Sequence, residues 1–253
     1  MTALEVPPRT ALEVPPGSST DVPLPDWLQP LAAALPTVLP EQLSRFLPPA
    51  EGGRQSAVLI LFGEGADGPD LLLIERSHTM RSHAGQPAFP GGALDPGDDG
   101  PVAAALREAT EEVGLEPASV RVVGTLPAVY LPPSGFVVTP VVGWWHRAHP
   151  VRAVDSAEVA AVARVPLAAL ADPANRLTVT HPSGYVGPAF QAGDLLVWGF
   201  TAGLVDKVLA LGGWDQPWDR SRSRPLDAAT VALSRGPAAA APPAKGSTLT
   251  SRS

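Results

Sequence analysis

The sequence contains no cysteine among its 253 residues. This absence excludes a disulfide framework, catalysis by a thiolate and a zinc site with cysteine ligands. A chain that needs no disulfides is compatible with a reducing compartment, and we expect a cytoplasmic protein.

Basic residues are also scarce, since 18 Lys and Arg face 25 Asp and Glu and leave a net charge of −7. This balance provides no general basic surface for nucleic acid or anionic lipid, and neither is expected as a partner. An acidic protein that handles an anionic phosphate needs metal ions or a local basic pocket to offset the repulsion.

A long uninterrupted apolar run is missing as well. The most apolar late segment, residues 195–214, contains Asp206 and Lys207, so we expect a buried helix there and no membrane span. The first residues lack the basic region and apolar stretch of a secretory signal. No membrane contact is therefore expected.

The 31 prolines cluster outside the middle of the chain and suggest its divisions. Residues 1–20 contain TALEVPP twice, and a proline-rich repeat of two copies cannot bury a core, so disorder is predicted there. Residues 21–50 are predicted to be a proline-rich helical lead-in. Residues 51–224 then form one domain with one core, and residues 225–253 are predicted to be a disordered tail.

Apolar runs alternate with turn residues in the central part of the chain. Residues 57–62 and 70–75 predict a hairpin of buried strands joined by a turn at residues 63–69. A helix is predicted from Pro101, a favoured first helical position, to Gly114, a usual left-handed terminator. Further strands are expected at residues 120–126, 137–145 and 158–165, a second hairpin at residues 177–186, and a second long helix at residues 198–211.

Three carboxylates are concentrated on the first long helix. Glu108 and Glu112 are four residues apart and share a helical face, with Glu111 one position aside. Carboxylates that are crowded in this way repel one another unless they share a cation. Hard oxygen ligands suit Mg²⁺ or Mn²⁺, which in turn suit phosphate substrates. The helix therefore predicts a metal-dependent phosphate site.

The segment from Gly92 to Leu115 resembles the Nudix box, the signature of hydrolases that act on a nucleoside diphosphate linked to another group. Residues 107–115, REATEEVGL, match the family pattern R-E-U-x-E-E-x-G-U at every specified position. The front half departs from that pattern, because Asp98 stands where the family has Glu and the distance from Gly92 to Arg107 is one residue longer. The resemblance implies a Nudix-type α/β/α sandwich with a mixed sheet, in the α/β class and as a single domain.

A second motif resembles the coenzyme A pyrophosphatase branch of the Nudix family. That branch carries L-L-T-x-R-[SA]-x₃-R-x₃-G-x₃-F-P-G-G, and this chain matches it from Leu72 to Gly92 except for Ile74 in place of Thr. Residues 133–143 and 197–202 are similar to the same branch. The resemblance covers roughly residues 57–211.

The family pattern and the chemistry together suggest roles for the residues of the box. Glu108 and Glu112 are the expected metal ligands, and Glu111 is either a third ligand or a group that helps deprotonate the attacking water. Arg107 can hold Glu111 through a salt bridge four residues away. Gly91 and Gly92 let the backbone come close to a metal ion or phosphate, although an ordinary tight turn is the alternative.

Further candidates lie outside the helix. Arg76 and Arg81 are candidates for phosphate contacts, because guanidinium groups pair with phosphate oxygens in a forked geometry; the alternative is a surface position. Glu158 is either a general base from a second loop or a plain surface glutamate. His83 is expected to make loop hydrogen bonds. The three loop aspartates are expected to be solvated, with a role as metal ligands as the alternative: Asp95, Asp98 and Asp99.

The resemblance implies a hydrolase that cuts the diphosphate of coenzyme A or an acyl-CoA with Mg²⁺ or Mn²⁺. The products would be 3′,5′-ADP and phosphopantetheine or its acyl form. Two alternatives stay open: a Nudix hydrolase of ADP-ribose, a dinucleotide or an oxidised nucleotide, and a non-catalytic module that binds CoA or a nucleotide. A small-molecule diphosphate is the expected partner in each case, and a homodimer is left open.

Overall fold

The computed structural model describes residues 22–78, 84–132 and 134–235, and all structural statements below concern this part of the chain. Its helices are α1 (Gln29–Ala34), α2 (Pro40–Leu43), α3 (Pro101–Val113), α4 (Leu167–Ala171), α5 (Gly199–Leu211) and α6 (Ala228–Arg235). Its first six strands are β1 (Arg54–Gly65), β2 (Gly68–Arg76), β3 (Pro87–Ala88), β4 (Gly91–Ala93), β5 (Val120–Thr125) and β6 (Val129–Leu131). The others are β7 (Phe136–Trp145), β8 (Val159–Pro166), β9 (Arg176–Thr180), β10 (Val186–Ala192), β11 (Leu195–Val197) and β12 (Ser223–Pro225).

A mixed sheet of eight strands forms the centre of the molecule. Strand β1 pairs in parallel with β7 and antiparallel with both β2 and β4. Strand β8 pairs with the other edge of β2. A second sheet has the order β11-β10-β9-β12. These sheets and their flanking helices form an α/β fold of a single domain, as the sequence predicted.

The central strands β1, β2 and β7 are buried on both faces over most of their length, so their apolar residues alternate between two clusters. Leu59 and Leu61 of β1 pack towards α3, whereas Ile60 and Phe62 pack towards α5 and the lead-in helices. Helix α3 contributes its apolar stripe to the first cluster, as its periodicity predicts. Leu28 of the lead-in is fully buried in the second cluster, so this segment belongs to the same core.

The two ends of α3 confirm the predicted boundaries. Pro101 is its first residue, and Gly114 follows its last turn with φ +71°, the left-handed conformation that glycine adopts without a steric penalty. The carbonyl of Glu112 accepts a hydrogen bond from the Val154 amide at 2.9 Å. The loop before β8 therefore fixes the end of the helix that carries the carboxylates.

Several sequence-based boundaries differ from the structure. The first hairpin is tighter than predicted, because Gly65 pairs with Gly68 and residues 63–65 and 68–69 extend the strands. Gly91 and Gly92 form strand β4 on β1 instead of a turn. The expected disordered tail does not hold for residues 225–235, because Pro225 ends β12 and α6 follows. Residues 1–20 and 236–253 lie outside the described residues.

Among the described residues, no helix combines the length and the apolar character that crossing a membrane requires.

Candidate active site

The side chains of Glu108 and Glu112 reach the same short strand, β4. Glu112 Oε2 accepts a hydrogen bond from the Gly91 N–H at 2.9 Å. The carboxylate of Glu108 lies against Gly92 so closely that a Cβ at Gly92 would be 2.4 Å from Glu108 Oε1. The two carboxylates therefore converge on the Gly91–Gly92 backbone, as their spacing on one helical face predicts.

A side chain at either position of this backbone would meet a neighbouring group. Gly91 has φ +153°, and a Cβ there would lie 2.3 Å from the carbonyl oxygen of Ala57 on β1. At Gly92 the obstacle is the Glu108 carboxylate itself. The close approach of helix, strand and carboxylates thus depends on the absence of two side chains.

Glu112 is a buried carboxylate, with only 2 % of its surface exposed. Burial raises its pKa to about 8, and the charges of Glu108 and Glu158 add to this effect, whereas the Gly91 N–H and Arg76 oppose it. Burial also raises the pKa of Glu108, against the influence of Arg107. Burying an ionised carboxylate costs several kcal/mol, about as much as two buried leucines contribute. A bound cation would offset that cost.

Glu108 and Glu112 together are suited to bind one divalent cation. The described residues contain no group of three or more His, Asp or Glu side chains arranged to hold a metal ion. Glu111 is directed to Arg107 instead, 3.0 Å from its guanidinium, with 58 % of its side chain exposed. Mg²⁺ usually binds one or two carboxylates together with water and substrate phosphates. Glu108 and Glu112 could hold such an ion once a diphosphate supplies further oxygens.

Arg107 is the centre of a network that fixes the middle of α3 to the preceding loop. It donates two hydrogen bonds to the carboxylate of Asp98, each 3.0 Å long, and one to the Ala93 carbonyl at 3.1 Å. The same guanidinium lies 3.1 Å from Glu108 and 3.0 Å from Glu111. The predicted pairing of Arg107 with Glu111 is therefore present, within a larger network.

Asp98 was expected to be solvated, and the structure shows that this was wrong. Its side chain is only 6 % exposed, and the hydrogen bonds from Arg107 hold its pKa below the ordinary range. Spacing could not reveal this pair, because eight residues of loop and helix lie between the partners. Asp95 and Asp99 are exposed, as expected.

Arg76 and Glu158 flank the carboxylates from the ends of β2 and β8. The positive charge of Arg76 acts on Glu112, and its buried Nε–H has no hydrogen-bond partner in the described part of the chain. Glu158 is exposed, its backbone carbonyl accepts a hydrogen bond from the Ser77 N–H at 2.7 Å, and its charge acts on both Glu108 and Glu112. Arg81 and His83 lie outside the described residues.

Comparisons with known proteins identify the family to which this chain belongs. A model described as NUDIX domain matches residues 53–185. A protein of Escherichia coli (strain K12), named "Uncharacterized Nudix hydrolase NudL", is 43% identical over 166 residues, which cover 61% of this chain and 81% of that protein. The chain belongs to the Nudix family. A protein of the same name from Citrobacter koseri is 41% identical over 196 residues, or 73% of this chain and 92% of its own length.

Solved Nudix structures resemble the chain more distantly. A crystal structure of the Nudix hydrolase RenU from M. smegmatis has 20% identity and a TM-score of 0.47, and covers 67% of this chain and 92% of its own. A crystal structure of a MutT/nudix family protein from Enterococcus faecalis has 18% identity and a TM-score of 0.42, and covers 75% of this chain and 73% of its own.

Membership in the Nudix family defines the type of reaction. The protein is a pyrophosphohydrolase of phosphorus-containing anhydrides and acts on nucleoside diphosphate derivatives, which are small-molecule nucleotide substrates. Nudix hydrolases generally use divalent metal cations, and the buried Glu112 with the partly buried Glu108 beside Gly92 has the chemistry to hold one.

Proposed function

We propose that the protein hydrolyses the diphosphate bond of coenzyme A or an acyl-CoA, with Mg²⁺ or Mn²⁺ held by Glu108 and Glu112. The observation that carries the proposal is the convergence of these two carboxylates on Gly91 and Gly92, at the end of the segment that resembles the coenzyme A branch. The products are 3′,5′-ADP and phosphopantetheine or its acyl form.

The side chains around the Gly91–Gly92 backbone have different roles in the proposed reaction. A bound Mg²⁺ or Mn²⁺ would neutralise diphosphate charge and lower the pKa of a bound water. Arg76 supplies a buried, unpaired N–H that can donate to a phosphate oxygen. Arg107 holds Glu108 and Glu111 in place through its ion pairs. Glu158 is exposed, its charge acts on both Glu108 and Glu112, and it is our candidate for the general base that accepts the water proton.

Replacing Glu112 by Gln tests the metal assignment. The amide keeps the size of the side chain but removes the charge, so kcat with CoA and Mn²⁺ should fall at least about 100-fold, or about 2.7 kcal/mol. Glu116→Gln is the matched control, because Glu116 is exposed just beyond the helix, and it should keep full activity. A near wild-type rate in Glu112→Gln would remove Glu112 from the metal site.

The substrate is tested by a panel of diphosphates assayed with and without Mn²⁺, with products resolved by mass. The proposal expects kcat/KM for CoA or an acyl-CoA to exceed that for ADP-ribose, dinucleotides and oxidised nucleotides. A higher value for one of the latter would give the protein a different Nudix substrate. Tight CoA binding by calorimetry without turnover in Mn²⁺ would instead indicate a non-catalytic binding module.

A further inference from the structure

A tight turn at residues 155–158 connects the loop after β7 to strand β8. We refer to it as the Glu158 turn, because the proposed general base is its last residue. Glu158 is exposed and directly precedes the first residue of β8. A general base must lie within hydrogen-bond reach of the proton that it accepts, so the backbone at Glu158 has to be held in a defined place. An exposed end of a loop meets that requirement only if other contacts fix it.

Asp155 closes the Glu158 turn with both its backbone and its side chain. Its backbone carbonyl accepts hydrogen bonds from the N–H groups of Glu158 at 3.1 Å and of Val159 at 2.8 Å. Its side-chain Oδ1 accepts a hydrogen bond from the Ala157 N–H at 2.8 Å. A bond from an aspartate side chain to the backbone two residues later is a common way to stabilise a turn. The side chain of Asp155 therefore determines the path of the backbone that leads into Glu158.

The sheet fixes the backbone on the other side of Glu158. Val159 is 1% exposed and packs in the same apolar cluster as helix α3. The Glu158 carbonyl accepts a hydrogen bond from the Ser77 N–H at 2.7 Å, directly after the end of β2. The backbone after Glu158 is thus held by the core, whereas the backbone before it depends on the turn that Asp155 closes.

The start of the Glu158 turn is attached to the helix that carries the metal carboxylates. The Val154 N–H donates a hydrogen bond to the Glu112 carbonyl at 2.9 Å. Because Asp155 directly follows Val154, the turn begins at the backbone of α3. The charge of Glu158 acts on both Glu108 and Glu112, in agreement with this arrangement. The turn therefore links the proposed base to the proposed metal ligands over a short length of chain.

We propose that Asp155 is a positioning residue, whose side-chain hydrogen bond to Ala157 fixes the Glu158 turn and so holds the proposed base near Glu108 and Glu112. This assignment rests on the role given to Glu158 in the proposed function. It does not depend on which nucleoside diphosphate is cleaved. Asp155 acts through the hydrogen-bond acceptor on its side chain and not through its charge.

Two substitutions at Asp155 separate the hydrogen bond from the charge. Asp155→Ala removes the acceptor, so kcat with CoA and Mn²⁺ should fall about tenfold, because a displaced base transfers the proton less effectively. KM and the dependence on Mn²⁺ concentration should change little, since Glu108 and Glu112 are untouched. Asp155→Asn keeps an oxygen that can accept the same hydrogen bond and should restore near wild-type kcat. An equal loss in Asp155→Asn would show that the charge matters and would overturn the positioning role.

Asp172 offers a matched control, because it closes a similar turn between α4 and β9. Its Oδ1 accepts a hydrogen bond from the Ala174 N–H at 2.8 Å, and its carbonyl accepts one from the Asn175 N–H at 3.0 Å. Asp172→Ala therefore removes the same kind of bond at a place with no role in the proposed reaction. It should lower the Tm about as much as Asp155→Ala does and keep the wild-type kcat. Equal losses of kcat would reveal a general effect of stability and overturn the proposal.

A double-mutant cycle tests whether Asp155 acts through Glu158. Glu158→Gln alone should lower kcat at least about 100-fold, as expected for the loss of a general base. In that background Asp155→Ala should change kcat by less than about twofold, because no base remains to be positioned. Losses that multiply in the double variant would show that Asp155 acts independently of Glu158 and would overturn the assignment.

The same experiments distinguish failure of this inference from failure of the proposed substrate. If the wild type cleaves another nucleoside diphosphate but not CoA, the CoA proposal fails, and the cycle on that substrate supports or overturns the role of Asp155 by the same criteria. If CoA is cleaved and Glu158→Gln keeps a near wild-type rate, the role of Asp155 is overturned while CoA hydrolysis stands. A wild type that cleaves none of these compounds would contradict both.

Discussion

At the contact between α3 and β4, single residues determine how the two carboxylates are placed and protonated. Burial raises the pKa of Glu112 to about 8 and so favours its protonated form. The Glu108 carboxylate occupies the space that a side chain at Gly92 would need. Adding one methyl group at this contact is therefore expected to lower activity, and adding or removing one proton is expected to change stability.

Adding a single methyl group at Gly92 should disable the enzyme. The new Cβ would lie 2.4 Å from Glu108 Oε1, so the carboxylate must move. Since a misplacement of about 1 Å can cost about 100-fold in rate, Gly92→Ala should lower kcat by about that factor. Gly97→Ala in the following loop is the control, because a Cβ at Gly97 meets nothing within 4 Å. Similar rates for the two variants would disprove the steric argument.

The raised pKa of Glu112 predicts a dependence of stability on pH in the metal-free protein. Its pKa is about 8 in the folded protein against an ordinary 4.5, so between these values the folded state binds more protons than the unfolded state. The free energy of unfolding should therefore fall as pH rises through this window. Because a metal ion binds the deprotonated carboxylate, Mn²⁺ should raise the Tm more at pH 8 than at pH 5.

Calorimetry in chelator and in Mn²⁺ would check both statements. In Glu112→Gln the decline between pH 4.5 and 8 should be smaller, and the effect of Mn²⁺ on the Tm should be reduced. A wild-type stability that rises with pH over this window would contradict the assignment of Glu112 as a desolvated carboxylate.

At the scale of elements, the loop between β4 and α3 is as important as the helix. Arg107 points back from the helix to Asp98 and the Ala93 carbonyl, so the loop and the helix are fixed to each other. Asp98 occupies the position where the Nudix pattern has Glu, and it acts on the site through Arg107 without reaching β4 itself.

Replacing Asp98 by Asn tests this positioning role. The amide cannot accept both hydrogen bonds from Arg107, so Glu108 and Glu111 should be held less firmly, with kcat about tenfold lower and KM little changed. Asp99→Asn changes an exposed residue of the same loop and should match the wild type. An unchanged Mn²⁺ dependence in Asp98→Asn would agree with positioning, whereas loss of metal binding would make Asp98 a ligand.

At the scale of the whole molecule, a buried arginine joins the second sheet to α5. Arg176 of β9 is 1% exposed and pairs with Asp206 of α5 and with Asp215 beyond it. Its guanidinium also lies 4.9 Å from the ring centre of Trp218. These contacts attach the second sheet to α5 and to the segment that follows it.

Loss of this arginine should destabilise the entire fold. Arg176→Ala leaves two partly exposed aspartates, 20% and 40% exposed, without their partner, and loss of a hydrogen bond to a charged group costs about 1.5–3 kcal/mol. Arg222→Ala is the matched control, because Arg222 is exposed and bonds only to backbone carbonyls among the described residues, so about 1 kcal/mol or less is expected. Urea unfolding of both variants measures their free energies of unfolding. Equal losses of stability would contradict a structural role for the ion pairs of Arg176.

The sequence by itself determined the elements whose signals are local. The cap residues Pro101 and Gly114 define α3, and spacing of four places Glu108 and Glu112 on one face, because helix geometry relates near neighbours directly. The apolar runs likewise defined the strands of the first hairpin. The family resemblance then indicated the α/β sandwich and the hydrolase.

Only the tertiary structure decided the contacts between residues that are distant in sequence. It placed Gly91 and Gly92 on β1 as a strand, paired Asp98 with Arg107, buried Arg176 between two aspartates and packed α6 against Gly85. Each of these depends on how loops close and how layers pack, which local propensity and periodicity do not encode.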